Sequence, residues 1–164
     1  MCEHPAASLP RTAGRPRARE ANRPALACER TILLIEDDVE MRRLLGRVLE
    51  RDGYRVVAVA DGDQALDWLG LCLFDGSLAR VPALIVSDIR LPDFSGLELL
   101  EGLLCARARI PVILITGFPS EETYAEALEL GAAQVLAKPF DLDALRLAVR
   151  TALASPPRWT KLPA

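Results

Sequence analysis

The sequence has little of what several chemistries require. Its one histidine is His4 and it has no glycine-rich loop of the nucleotide-binding kind, so a kinase is not indicated. The four cysteines, Cys2, Cys28, Cys72 and Cys105, lie far apart with no C-x-x-C pair. That spacing suits neither a zinc site nor a disulfide framework, and reads as reduced thiols in a cytosol. No window approaches the roughly 18 apolar residues that span a bilayer, so a soluble, cytoplasmic protein without membrane contact is expected. Neither charge sign dominates: 20 basic residues face 23 acidic ones for a net −3, which points to neither nucleic acid nor an anionic membrane.

What is present suits one domain with one core, since 51% of the 164 residues are hydrophobic. Residues 1–29 read as a disordered arm: over residues 10–30, Arg11, Arg15, Arg17, Arg19, Arg23 and, at the boundary with the domain, Arg30 occur with Pro10, Pro16 and Pro24 interspersed and without a hydrophobic period. The prolines break any amphipathic helix, and no apolar signal-peptide core follows the arginines. The domain is expected over residues 30–154, with a short tail over 155–164 that includes Trp159.

From residue 31 a pattern repeats five times: a short apolar run rich in β-branched residues, a turn-forming junction, then a segment of helical period. The runs are 31–35, 54–60, 83–87, 111–115 and 133–137. Such alternation implies an α/β fold with a parallel sheet, and runs that are apolar throughout imply strands covered on both faces. Met41, Leu44, Leu45, Val48 and Leu49 form one core-facing stripe, and Leu142, Leu145, Val149 and Leu153 another. Ser95 with Glu98 makes a capping box, Asp61 with Gln64 comes close to one, and Asp141 holds an N-cap position. Gly53 and Gly131 end two helices. The stretch 70–82, "GLCLFDGSLARVP", exceeds the usual connection of roughly 2 to 6 residues and reads as an extended second helix plus a loop.

Ligands of an open, doubly wound sheet bind beyond the carboxyl ends of its strands, where the winding reverses. The polar residues collect there. Glu36, Asp37 and Asp38 follow the first run, Asp88 the third, Thr116 the fourth and Lys138 the fifth. Asp38 is read as the N-cap of the helix beginning at Val39. Glu36 and Asp37, facing a third acid across the sheet, repel one another unless a cation is present; hard oxygen ligands and few carboxylates suit Mg²⁺. Lys138 precedes Pro139, and an X-Pro bond can be cis, which would fix the direction of the amine. Glu36, Asp37 and Asp88 together carry −3, which Mg²⁺ and Lys138 balance, leaving a site able to receive a phosphoryl group. Such transfer needs positioning and electrostatic cover more than a general base, and a carboxylate can be the nucleophile. Asp88 is that candidate.

These residues resemble the receiver domain of two-component response regulators, through "ILLIEDD" (32–38), "LIVSDIRLPDFSG" (84–96), "VILITGF" (112–118) and "AKPF" (137–140). The resemblance implies a flavodoxin-like, five-stranded parallel sheet of order 2-1-3-4-5 with helices on both faces. It implies that Asp88 accepts a phosphoryl group from a sensor histidine kinase or a histidine phosphotransfer protein. Asp37 and Asp88 would bind Mg²⁺ directly, Glu36 mostly through water, and the backbone carbonyl of Arg90 would complete the protein ligands. Thr116 would hydrogen-bond the phosphoryl group and Lys138 would pair with it. Such domains also lose their phosphoryl group by in-line attack of water, and need no enzyme beyond the donor.

One departure stands out. The family usually has Tyr or Phe three residues before the lysine, where this chain has Val135, which cannot reproduce the inward turn of a ring. Output through the face of the fourth helix, fifth strand and fifth helix would then be weaker, or work through Phe118 or Tyr124. With no output domain after Ala154, the expectation is a stand-alone phosphoacceptor that docks an unknown downstream protein, with a homodimer possible and no direct nucleic-acid binding. The alternative is a receiver-like module that binds without phosphorylation. A hydrolase resembling haloacid dehalogenase phosphatases does not fit, because it places a second acid two residues after the nucleophile, where Asp37 is followed by Val39.

Overall fold

The computed structural model describes residues 30–74 and 81–155. The expected arm, the expected tail beyond Ser155 and most of the expected loop after the second helix lie outside those residues. Five strands alternate with five helices: β1 (Thr31–Ile35), α1 (Val39–Arg51), β2 (Arg55–Val59), α2 (Gly62–Phe74), β3 (Leu84–Asp88), α3 (Gly96–Cys105), β4 (Val112–Thr116), α4 (Glu121–Glu129), β5 (Gln134–Ala137) and α5 (Leu142–Ala154). All strand pairs are parallel, in the order β2-β1-β3-β4-β5. The expected architecture is therefore observed.

Two apolar layers cover the sheet. One gathers Leu33, Ile35, Ile85, Val112 and Leu114 with Leu69 of α2, Leu99, Leu100 and Leu103 of α3, and Ala127 of α4. The other gathers Ile32, Leu34, Leu84, Val86, Ile113 and Ile115 with Leu45 and Leu49 of α1 and Leu145 and Val149 of α5. Alternate residues of β1, β3 and β4 thus enter opposite layers, as the two-residue period of a strand requires. The outer strand β2 leaves Arg55 and Ala58 exposed.

Local signals decide where the helices begin and end. Asp38 caps α1, its Oδ1 accepting the Met41 N–H at 2.7 Å. Ser95 and Glu98 form the full capping box of α3. Asp61 Oδ1 accepts the Gln64 N–H at 2.8 Å and Oδ2 accepts the Gln64 side chain, so the partner returns to the side chain rather than to the cap backbone. Asp141 sits at the N-cap of α5 but makes no side-chain cap bond. Gly53 and Gly131 take φ of +91° and +90°, the left-handed conformation that closes α1 and α4.

Two expectations need correcting. Leu44 is 46% exposed and lies outside the α1 core stripe, which narrows to Leu45, Val48 and Leu49 with Met41 at its margin. A helix turns about 100° per residue, so five apolar positions span more surface than one sheet face can cover. Asp88 and Thr116 are the last residues of their strands rather than the residues after them, because the ladder continues through Asp88↔Ile115 and Thr116↔Ala137.

Candidate functional site

That register brings the polar strand ends together. The Glu36 N–H donates to Val59 O at 3.2 Å, the Ile89 N–H to Ile115 O at 2.8 Å and the Lys138 N–H to Thr116 O at 2.7 Å. Each bond extends a strand by one residue and fixes where the following side chain starts. The Lys138–Pro139 peptide bond is cis. Gly96 allows α3 to begin close behind the acid, since a Cβ there would lie 2.6 Å from the Asp88 carbonyl oxygen.

Carboxylate oxygens of Glu36, Asp37 and Asp88 lie within 4.8 Å of one another. Glu36 is 1% exposed and Asp88 6%, whereas Asp37 faces solvent. Lys138 Nζ donates to Glu36 Oε1 and Oε2 at 3.1 and 2.9 Å and to Asp88 Oδ2 at 2.6 Å. The Arg90 N–H donates to Asp88 Oδ1 at 2.7 Å. Thr116 is buried, and its Oγ1 accepts the Phe118 N–H at 3.1 Å. The expected side chains of Glu36, Asp37, Asp88, Thr116 and Lys138 thus belong to the carboxyl edge of one sheet. Asp38 is turned to capping.

The electrostatics follow from this crowding. Burial lifts the Glu36 carboxyl above its usual range; Lys138 opposes the rise and the charge of Asp88 adds to it. For Lys138, burial is the largest influence and would lower its pKa. The hydrogen bonds and charges of Asp88 and Glu36 together outweigh it and carry the ammonium above its ordinary value. One ammonium facing three acids leaves a negative excess. An all-oxygen donor set with that excess fits a hard divalent cation such as Mg²⁺.

Several supporting contacts have no signature in the sequence. Arg42 Nη1 donates to the carbonyls of Glu36 at 2.6 Å and Asp37 at 3.0 Å, pinning the acidic loop from α1. Asp93 Oδ2 accepts the Asp63 N–H at 2.9 Å and the Phe94 ring fills the space over Gly62, so the loop after β3 rests on the start of α2. The Arg90 guanidinium stacks 3.8 Å from the centroid of the Phe118 ring, joining the loops after β3 and β4. A sequence offers only spacing for such pairs, and spacing does not say where a long side chain turns.

Among the described residues no helix is long and apolar enough to cross a membrane. In sequence the chain is 34% identical over 119 residues to sporulation initiation phosphotransferase F of Bacillus subtilis (strain 168), covering 73% of this chain and 90% of that protein. It is 36% identical over 123 residues to the transcriptional regulatory protein ZraR of Klebsiella oxytoca, covering 75% of this chain but 26% of that longer protein. In structure it resembles the CheY-like response regulator receiver domain protein of Methanospirillum hungatei JF-1, with a TM-score of 0.67, 28% identity and coverage of 76% and 94% of the two chains. The signal receiver domain of a Luxo repressor protein from Vibrio parahaemolyticus matches with a TM-score of 0.68 at 26% identity, covering 77% and 91%. The sequence model of the response regulator receiver domain matches residues 32–150, most of the chain, and with the fold and the strand-end acids it establishes that this protein belongs to the response regulator receiver domain family.

Proposed function

We propose that this receiver accepts a phosphoryl group on Asp88 from a phosphohistidine of a sensor histidine kinase or a histidine phosphotransfer protein. The observation that carries the reading is the pairing of a nearly buried Asp88 with Lys138 at 2.6 Å, beside two further acids. An Asp88 carboxylate oxygen attacks phosphorus and an O–P bond forms as the P–N bond breaks. The electron pair returns to the donor ring, which takes up one proton and leaves as neutral imidazole. A carboxylate has about four lone-pair sites, of which Arg90 N–H and Lys138 occupy two, so the nucleophile keeps free pairs.

Bound Mg²⁺ would neutralise the acids and shield a phosphoryl oxygen. Asp37 and Asp88 would hold it directly and Glu36 through water, with the Arg90 carbonyl as a further oxygen. Thr116 uses its oxygen to accept from Phe118, which leaves its hydroxyl proton to donate to the phosphoryl group. Lys138 has three N–H donors and can follow the negative charge from carboxylate to phosphoryl oxygen. Hydrolysis by in-line water returns Asp88 to its resting state.

The test is incubation of the full chain with acetyl phosphate and Mg²⁺, read by intact mass. Addition of one phosphoryl group is expected in the wild type and none in Asp88→Asn. Equal labelling of the two, or of neither, would reject Asp88 as the acceptor, and binding without phosphorylation would then be the better account.

A further inference from the structure

With a divalent cation bound, the site would be balanced only before it reacts. Glu36, Asp37 and Asp88 would be matched by Lys138 and that cation, but phosphorylation replaces one carboxylate charge with about −2. A negative charge is then left unmatched beside groups that are nearly buried. Lys138 is already shared by two acids. Arg42 is held by the carbonyls of Glu36 and Asp37. Arg90 is different. It starts two residues from Asp88, with its own N–H on Asp88 Oδ1, and no carboxylate among the described residues pairs with its guanidinium. The guanidinium rests instead on the ring of Phe118, which is 63% exposed.

We propose that the Arg90 side chain is a second phosphoryl-binding group, parked on Phe118 at rest, and that its transfer to the phosphorylated Asp88 uncovers the Phe118 ring. The proposal rests on Asp88 as the acceptor. A planar guanidinium binds phosphoryl oxygens through paired, charge-assisted hydrogen bonds, which are stronger than an exposed cation–π contact. The ring it leaves belongs to the residue whose N–H is bonded to Thr116 Oγ1, so both strand-end arms take part in one rearrangement. Val135, packed in the core layer beneath α3 and α4, has no ring to turn. An exposed aromatic released from its cation supplies a different readout of phosphorylation on the same edge of the sheet.

The full chain is titrated with Mg²⁺ and beryllium trifluoride, a stand-in for the phosphoryl group, while the Arg90 δ-methylene resonances are followed by NMR. In the free wild type the Phe118 ring, 3.8 Å from the guanidinium carbon, is expected to displace them upfield, and Phe118→Leu to remove that displacement. With beryllium trifluoride they are expected to move to the Phe118→Leu position in the wild type and to stay in place in Asp88→Asn. Arg90→Ala keeps the backbone carbonyl, and is expected to need about tenfold more beryllium trifluoride for half-saturation, with Arg90→Lys recovering part of the loss. Unmoved Arg90 resonances, or equal half-saturation in Arg90→Ala and wild type, overturn the proposal while acetyl phosphate labelling of Asp88 stands. Absence of labelling at Asp88 instead removes the acceptor on which the proposal rests.

Discussion

The middle and the carboxyl end of the same strands obey opposite rules. Through the middle, β1, β3 and β4 bury Ile32, Leu33, Leu34, Leu84, Ile85, Ile113 and Leu114 completely, with helices over both faces. One residue past the apolar run, the chain carries Glu36 and Asp88 into nearly the same degree of burial with a single ammonium between them. The middle is organised to lower free energy by removing apolar surface from water. The end holds like charges close together, which raises the free energy of the resting protein and makes the site receptive to cations.

The largest effect expected from breaking this contrast is in the middle. Ile113→Ala should destabilise the fold by about 2–5 kcal/mol in urea denaturation, because the removed atoms leave a cavity between β4 and the α1/α5 layer. At a temperature where the variant remains folded, acetyl phosphate labelling of Asp88 should persist. Its loss would show that middle and end are not separable. At the end, Lys138→Met should cost about 2–3 kcal/mol without Mg²⁺, since the lysine side chain is 22% exposed and its removal leaves two buried carboxylates facing each other. The alkaline limb gives the sign. With its folded pKa raised above 10.5, Lys138 contributes stability that is complete below that value and lost as pH rises through the folded pKa. The stability gap between wild type and Lys138→Met should therefore narrow above 10.5. A gap that widens there would contradict the pairing.

The same contrast explains what the sequence discloses. Strand middles announce themselves because burial on two faces requires consecutive apolar residues, and all five strands fall within one residue of their expected ends. Turn and cap chemistry is local, so Asp38, Ser95, Gly53 and Gly131 are legible as well. The strand-end acids are legible because a parallel sheet gathers its carboxyl ends, whatever the details of packing. What stays hidden is the direction of long side chains. Nothing in the spacing of Arg42 says that it folds back on two carbonyls, or that Arg90 lies over Phe118. Leu44 fails for the reverse reason: its period fits the stripe, but the sheet is too narrow to cover it.

Mg²⁺ sharpens the contrast from the other side. At about ten times its dissociation constant a ligand that binds only the folded state adds about 1.4 kcal/mol. Mg²⁺ should raise the wild-type Tm accordingly, in a scan monitored by circular dichroism. Asp37→Ala should show a much smaller rise, because it removes the solvent-facing acid of the trio while leaving Glu36 and Asp88 paired with Lys138. Equal rises in the two proteins would count against a cation among these carboxylates.

The smallest effect on stability is expected at Phe118. Its ring is mostly exposed and contributes a cation–π contact worth about 0.5–1 kcal/mol at such a site. Phe118→Leu should therefore move the urea midpoint only slightly, while its N–H continues to donate to Thr116 and to hold the loop after β4. A loss as large as that of Ile113→Ala would mean that the ring is part of the packed interior. Phe118 would then belong with the strand middles, where residues hold the fold together, and not with the strand ends, where a weak contact can be exchanged for a stronger one when charge arrives.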